Sequence, residues 1–86
     1  MNAADDEIFQ RIKTIVIKTF RLPEDAAIGL STTSADVEGW DSLSHAVLIM
    51  NVEEAFHTDL PLDRVYALND VGELVSLVRA AVAAGA

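Results

Sequence analysis

The sequence predicts an all-α fold, a small four-helix bundle of three main helices and one short helix, with a long loop between the first two. Apolar residues recur at the 3.6-residue spacing of a buried helix face in three segments, near residues 8–20, 43–56 and 71–82. The stretches between them hold prolines, glycines and clusters of Asp, Ser and Thr, which are typical of turns. With 86 residues, 51% of them hydrophobic, the chain is predicted to form a single domain, residues 1–86, around one core.

The first helix is predicted to begin at the acidic run of residues 5–7, because acidic side chains are favoured at the positive end of the helix dipole. It should end before Pro23, since a residue that precedes proline is pushed out of the helical conformation. The residues expected to face the core are Ile8, Phe9, Ile12, Ile15, Val16 and Phe20. Residues 15–17 alone could also form a strand, but the longer helical repeat favours a helix.

Residues 24–39 form a long connection that is rich in Asp, Ser, Thr and Gly. We expect Ile28 and Leu30 to anchor it to the core. Loops of this length without regular structure are uncommon unless they have a function. This loop would deliver the start of the second helix to an exposed corner of the domain.

The second helix is predicted to start at Asp41 and Ser42, whose side-chain oxygens can accept hydrogen bonds from first-turn amides. At about 100° per residue, its apolar residues fall on two opposed faces. The face expected in the core is formed by Leu48, Ile49, Val52 and Phe56. The opposite face is formed by Leu43, Val47 and Met50 and ends at Glu54. A helix in so small a domain cannot bury both faces, so the second is predicted to contact another protein, unless the long loop covers it.

The third helix can be only a short one, within residues 62–68, and is predicted to turn Val65 and Leu68 inward. Asn69 or Asp70 is expected to cap the last helix, because Asp70 and Glu73 have the spacing of a capping box. The buried face of that helix should consist of Val71, Leu74, Val75, Val78 and Val82.

The charge pattern excludes several classes of function. A formal net charge of −8 argues against nucleic-acid binding, which depends on Lys and Arg. Residues 22–63 contain nine acidic residues and no Lys or Arg, a field suited to steering basic partners, although it could also serve solubility alone. There is no cysteine, and the acidic residues lack the spacing of a calcium loop, so no metal site is predicted.

No stretch approaches the roughly 20 apolar residues that are needed to span a bilayer. The acidic beginning of the sequence is also unlike a cationic signal peptide. We therefore expect no membrane contact and a cytoplasmic location.

The sequence Asp41-Ser42-Leu43 follows Gly39 and precedes an amphipathic helix ending in Glu53-Glu54-Ala55-Phe56. This arrangement resembles the acyl carrier protein family, and the resemblance extends over most of the chain. In that family the serine carries a 4'-phosphopantetheine arm, derived from coenzyme A, whose thiol holds the cargo as a thioester. The resemblance therefore implies that Ser42 is the attachment site, and that the chain is a carrier with no catalytic residue of its own. A helix N-terminus also favours the negative charge of the resulting phosphodiester.

The resemblance also implies partner enzymes: a phosphopantetheinyl transferase, and an acyltransferase, ketosynthase or adenylating enzyme. The carrier is expected to be a monomer. The residues predicted to contact partners are Asp41, Leu43, Ala46, Val47, Met50, Glu53 and Glu54. Asp41 could help the transferase hold Mg²⁺, or it could simply cap the helix.

Two positions depart from the carriers of fatty-acid synthesis, which usually have a glutamate at the place of Val47 and often an acid at the place of Ser44. Together with Trp40 and His45, these residues favour a discrete carrier of a polyketide or related specialised pathway. An aminoacyl or peptidyl carrier, loaded by an adenylating enzyme, is the alternative. A remoter one is a small helical interaction module in which Ser42 is only a cap.

His45 is three residues after Ser42 and invites interpretation as a general base. It lies about 300° around the helix from Ser42, close to the core face. We therefore predict a packed histidine.

Overall fold

The computed structural model describes residues 3–85, and the side chains of residues 5–84. This part of the chain contains four α-helices and no β-strand: α1 (Ala3–Thr19), α2 (Ser42–Phe56), α3 (Leu62–Val65) and α4 (Val71–Gly85). A single 3₁₀ turn, Ser34–Asp36, interrupts the long loop between α1 and α2. The predicted fold of three main helices and one short helix is confirmed, although α3 is shorter than the interval predicted for it.

The core lies where α1 packs against α2 and α4. Its buried helical residues are Ile12 and Val16 of α1, Leu48, Ile49 and Val52 of α2, Val65 of α3, and Val71, Leu74, Val75, Leu77 and Val78 of α4. The remaining residues predicted for these faces are partly buried around that centre. Leu77 was not predicted; it lies one turn beyond Leu74 and widens the apolar face of α4.

The long loop is attached to the bundle both by buried side chains, which include Ile28 and Val37, and by its backbone. Ile28 is buried as predicted, but the side chain of Leu30 is 39% exposed and does not serve as the anchor we expected. Instead the carbonyl oxygen of Leu30 accepts a hydrogen bond from the Gly72 amide at 2.7 Å, and that of Thr32 accepts one from Val71 at 2.9 Å. First-turn amides of a helix have no partner within the helix, so the loop satisfies two such donors of α4.

The far end of α2 is fixed to α1 by Arg11. Its Nη2 donates a hydrogen bond to the Ala55 carbonyl at 2.6 Å, and its guanidinium carbon lies 4.2 Å from the centroid of the Phe56 ring. His57 then ends the helix in the left-handed conformation, with φ of 52°. These contacts leave the opposite end of α2, where Ser42 lies, at an open corner of the domain.

Candidate functional site

The site is built on the first turn of α2, which Asp41 caps. The backbone of Asp41 is extended, its Oδ1 accepts a hydrogen bond from the Ser44 amide at 2.9 Å, and its carbonyl accepts one from the His45 amide at 2.8 Å. Gly39, two residues before it, has a φ of 88°, a backbone conformation that residues other than glycine rarely adopt. The predicted start of the helix is confirmed, and Ser42 is its first residue and exposed.

The capping bond also sets the charge beside Ser42. The hydrogen bond from the Ser44 amide, supported by the Ser44 hydroxyl, holds the pKa of Asp41 below its usual value of 3.8. The carboxylate is therefore ionised at neutral pH, next to the serine hydroxyl. Of the two roles considered for Asp41, the cap is observed, and assistance to a transferase's Mg²⁺ stays a hypothesis.

His45 has both ring nitrogens engaged. Trp40 Nε1 donates a hydrogen bond to Nδ1 at 3.0 Å, so Nε2 carries the hydrogen that is directed to the Val65 carbonyl at 2.7 Å. Neither nitrogen is available to take a proton from Ser42. The prediction of a packed histidine is confirmed.

Four rings lie in a row from the residue after α1 to the residue after α3: Phe20, Trp40, His45 and Tyr66. The first two pairs are stacked, and the third is tilted. The centroids are 5.2 Å apart for Phe20 and Trp40, 6.1 Å for Trp40 and His45, and 5.6 Å for His45 and Tyr66. Sequence reasoning missed this arrangement. These residues belong to four different segments of the chain, and no spacing rule relates them.

A cavity of about 310 Å³ opens beside Ser42. Its residues on the α2 side are Trp40, Asp41, Ser42 and His45, and those on the other side include Tyr66, Leu68, Asn69 and Asp70. The lining mixes rings and aliphatic groups with hydroxyl, amide and carboxylate groups. The exposed hydroxyl at a helix start and the mixed lining therefore fit the attachment of an arm that carries one phosphodiester and several amides.

The second face of α2 is exposed, as the sequence predicted. Leu43, Val47 and Met50 are 82%, 50% and 65% exposed, and Glu54 beside them is also exposed. The long loop does not cover this face, which removes the alternative considered for it. Large apolar side chains grouped on a surface commonly mark an interface.

Two other residues predicted for partner contact, Ala46 and Glu53, are less exposed than this face. The side chain of Glu53 does not join the exposed face, because its Oε2 accepts a hydrogen bond from the Leu60 amide at 2.7 Å. Ala46 is half-buried at the edge of the face. We did not predict that Leu62 of α3 is an exposed apolar residue, although it is 71% exposed. The sequence could have shown this, because Leu62 is not among the residues of α3 predicted to turn inward.

The acidic residues of the interval 22–63 have no ion-pair partner among the described residues. The single ion pair in that part of the chain joins Arg79 Nη1 to Asp5 Oδ2 at 3.4 Å, outside the interval. The described residues include no group of three His, Asp or Glu able to hold a metal ion. Within the same residues, no helix is both long enough and apolar enough to cross a membrane.

Comparison with known proteins gives a consistent assignment. The family described as "Phosphopantetheine attachment site" matches residues 10–78. The chain is 32% identical over 74 residues to an acyl carrier protein of Picosynechococcus, covering 86% of this chain and 90% of that protein. It is 30% identical over 76 residues to a chloroplastic acyl carrier protein of Brassica napus, covering 88% of this chain and 56% of that one. The solution structure of a holo acyl carrier protein from Geobacter metallireducens superposes with a TM-score of 0.80 at 27% identity, over 90% of this chain and 87% of that one.

Proposed function

Because this chain belongs to the acyl carrier protein family, whose members hold a covalent 4'-phosphopantetheine group, we propose that Ser42 is the residue to which the group is attached. A protein of this family is a carrier and not an enzyme. The observation that carries the proposal is the position of Ser42, exposed at the first residue of α2 and beside the cavity.

The group supplies a thiol on which biosynthetic intermediates are held as thioesters. The chain itself presents the Ser42 hydroxyl at an open corner, where the active site of another enzyme can reach it. The dipole of α2 favours the negative charge of a phosphodiester at that position. Tethering raises the effective concentration of the cargo at each partner, which is how a protein without catalytic residues accelerates a pathway.

A carrier of this family interacts with a phosphopantetheinyl transferase and with acyl-handling enzymes. We propose that they dock on the exposed face of Leu43, Val47 and Met50, which begins one residue after Ser42. The acidic residues of 22–63 are not neutralised by cations of the described chain, and this supports steering of basic partners toward the face. We expect the carrier to act as a monomer in the cytoplasm, although the Brassica napus relative is named chloroplastic.

We further propose that the acyl groups belong to a polyketide or related specialised pathway, with an acyltransferase or ketosynthase among the partners. The support is Val47, which is half exposed in the middle of the docking face, where carriers of fatty-acid synthesis usually present a glutamate. The relatives are named only as acyl carrier proteins, so the pathway is inferred from this side chain and from Ser44. Loading by an adenylating enzyme with an amino acid, in place of an acyl group, would instead assign the aminoacyl alternative.

Intact mass measurement tests the attachment site. Incubation with coenzyme A and a broad-specificity phosphopantetheinyl transferase should add one phosphopantetheinyl group to the wild type. Ser42→Ala should add none while keeping the circular dichroism of the wild type, and Ser44→Ala is the matched control that should still be modified. Modification of Ser42→Ala would refute the assignment of Ser42. A wild type that accepts no group would favour the unmodified helical module.

A further inference from the structure

Helix α3 has little of its own to hold it in place. It is four residues long, too short to be stable by itself. Val65 is its buried residue, whereas Leu62, Asp63 and Arg64 are exposed. Its position must therefore depend on contacts that come from other parts of the chain.

His45 supplies the most direct of these contacts. Its Nε2–H donates to the carbonyl of Val65, and within the described residues this is the one hydrogen bond that joins residues 61–68 to another helix. The ring of Tyr66 also lies against the His45 ring. The orientation of His45 is fixed from the other side by the indole N–H of Trp40, whose ring in turn stacks on Phe20.

This linkage crosses the cavity beside Ser42. Trp40 and His45 line the cavity on the α2 side, and Tyr66 and the residues up to Asp70 line it on the side that follows α3. The bond from His45 to Val65 is therefore a direct hydrogen-bonded link between the two sides, whereas Asn69 and Asp70 are bonded to α4. If it is lost, α3 and residues 66–70 lose their hydrogen-bonded attachment to α2.

We propose that Trp40 and His45 are positioning residues, which hold α3 and residues 66–70 beside Ser42 so that the cavity receives the amide-bearing arm attached there. The inference rests on attachment at Ser42. The two residues take no part in attaching the arm, because both ring nitrogens of His45 are engaged within the protein. They determine where the arm rests once it is attached.

Three variants separate this role from general support of the core. His45→Leu keeps an apolar side chain and removes both hydrogen bonds. His45→Gln keeps one acceptor and one donor and is the conservative control. Trp40→Phe keeps a smaller aromatic ring for stacking and removes the indole N–H that bonds to His45. The inference can therefore still be tested if His45→Leu does not fold.

Amide hydrogen exchange is the first measurement, made on the protein before the arm is attached. In His45→Leu, exchange of the Val65 and Ala67 amides should accelerate by about tenfold or more, as the loss of two hydrogen bonds implies, and exchange of the Leu74 and Val78 amides should change little. Trp40→Phe should give a smaller acceleration at the same two amides. His45→Gln should restore most of the protection, because it retains the bond to Val65.

The second measurement uses the modified protein, and intact mass first establishes that Ser42 carries the arm in each variant. Nuclear Overhauser contacts between the arm and the protons of Tyr66 and Leu68 should be present in the wild type and in His45→Gln, and absent in His45→Leu. A protein that accepts no arm would refute attachment at Ser42, whatever the exchange data show.

Once intact mass has shown that Ser42 accepts the arm, three results would each overturn the positioning role. The first is exchange that is unchanged around α3 in His45→Leu and Trp40→Phe. The second is exchange that accelerates equally in α3 and α4, which would mean that His45 only stabilises the whole domain. The third is a set of arm contacts that is the same in wild type and His45→Leu.

Discussion

Substitution of Val47 by glutamate tests the docking face most directly, because it adds the acid that carriers of fatty-acid synthesis usually present there. Val47 is half exposed, so removing its buried half forfeits less than about 1 kcal/mol. Glutamate is a better helix former than valine, and its aliphatic stem keeps part of the packing. The neighbours at spacings of three and four, Leu43, Ser44, Met50 and Asn51, carry no charge that would repel it. We therefore expect the free energy of unfolding to change by about 0.5 kcal/mol or less.

Leu48 provides the contrast, since it is the next residue and is fully buried. Truncating a buried leucine typically costs about 2–5 kcal/mol, and an unpaired buried carboxylate adds to that cost. A domain of 86 residues has a total stability of about 4–13 kcal/mol at typical values per residue. Leu48→Glu should therefore be largely unfolded, whereas the melting temperature of Val47→Glu should fall by no more than about 4 °C.

Two assays then test the role of the face: melting followed by circular dichroism, and transfer of cargo to the native partner enzyme. Val47→Glu should weaken transfer to that partner and improve recognition by enzymes of the fatty-acid type. Ala80→Glu adds the same charge at an exposed position of α4 and should leave transfer unchanged. If Val47→Glu unfolds the domain as severely as Leu48→Glu, Val47 belongs to the core. If transfer is unaffected, the docking face lies elsewhere.

Two further predictions concern charge. Salt at about 0.1 M screens the repulsion between charges more than about 10 Å apart, and the acidic residues of 22–63 repel one another. Monovalent salt or millimolar Mg²⁺ should therefore raise the melting temperature. An unchanged melting temperature would show that these acidic residues do not destabilise the fold. Asp41→Ala removes the cap of α2 and should lower the melting temperature, whereas Asp41→Asn keeps an acceptor for the Ser44 amide. Because the pKa of Asp41 is lower in the folded state, its ionised carboxylate stabilises the fold above pH 3.8, and this contribution is lost as the pH falls through the folded pKa. The melting temperature of the wild type should therefore exceed that of Asp41→Asn at neutral pH, and the difference should shrink in acid. A difference that disappears at higher pH would contradict this.

The parts of the fold that depend on neighbours in sequence could be predicted. The apolar repeats gave α1, α2 and α4, because a buried helix face requires that spacing. Asp41 was predicted as a cap from its residue type, and its carboxylate accepts the bond from the Ser44 amide. For α4 the sequence left Asn69 or Asp70 open, and the bond from the Glu73 amide identifies Asp70. The opposed faces of α2 also followed from helix geometry, and their burial and exposure agree with it.

The parts that depend on distant contacts could not be predicted. The hydrogen bond from the Leu60 amide to the carboxylate of Glu53 joins residues seven positions apart, and neither the residue type nor the helix position of Glu53 shows it. Leu30 looks like an anchor because it is apolar, yet its carbonyl makes the attachment. The bond from His45 to Val65 joins residues 20 positions apart, and no local pattern shows that they meet. The sequence therefore placed Ser42 at the start of α2 and predicted the exposed face, but it did not show the walls of the cavity beside Ser42.

The backbone attachment of the long loop has a consequence for protein engineering. The loop is held through the carbonyls of Leu30 and Thr32 and through the buried side chains of Ile28, Thr32 and Val37. Its exposed side chains, such as those of Ser31 and Ala35, could therefore be exchanged in a redesigned carrier. Gly29 has no atom within 4 Å of a Cβ placed there and would accept a larger residue. Gly72 would not, because its added Cβ would come to 3.0 Å from the Leu30 oxygen. A library that diversifies the loop should therefore leave the first turn of α4 unaltered, because its amides hold the loop backbone in place.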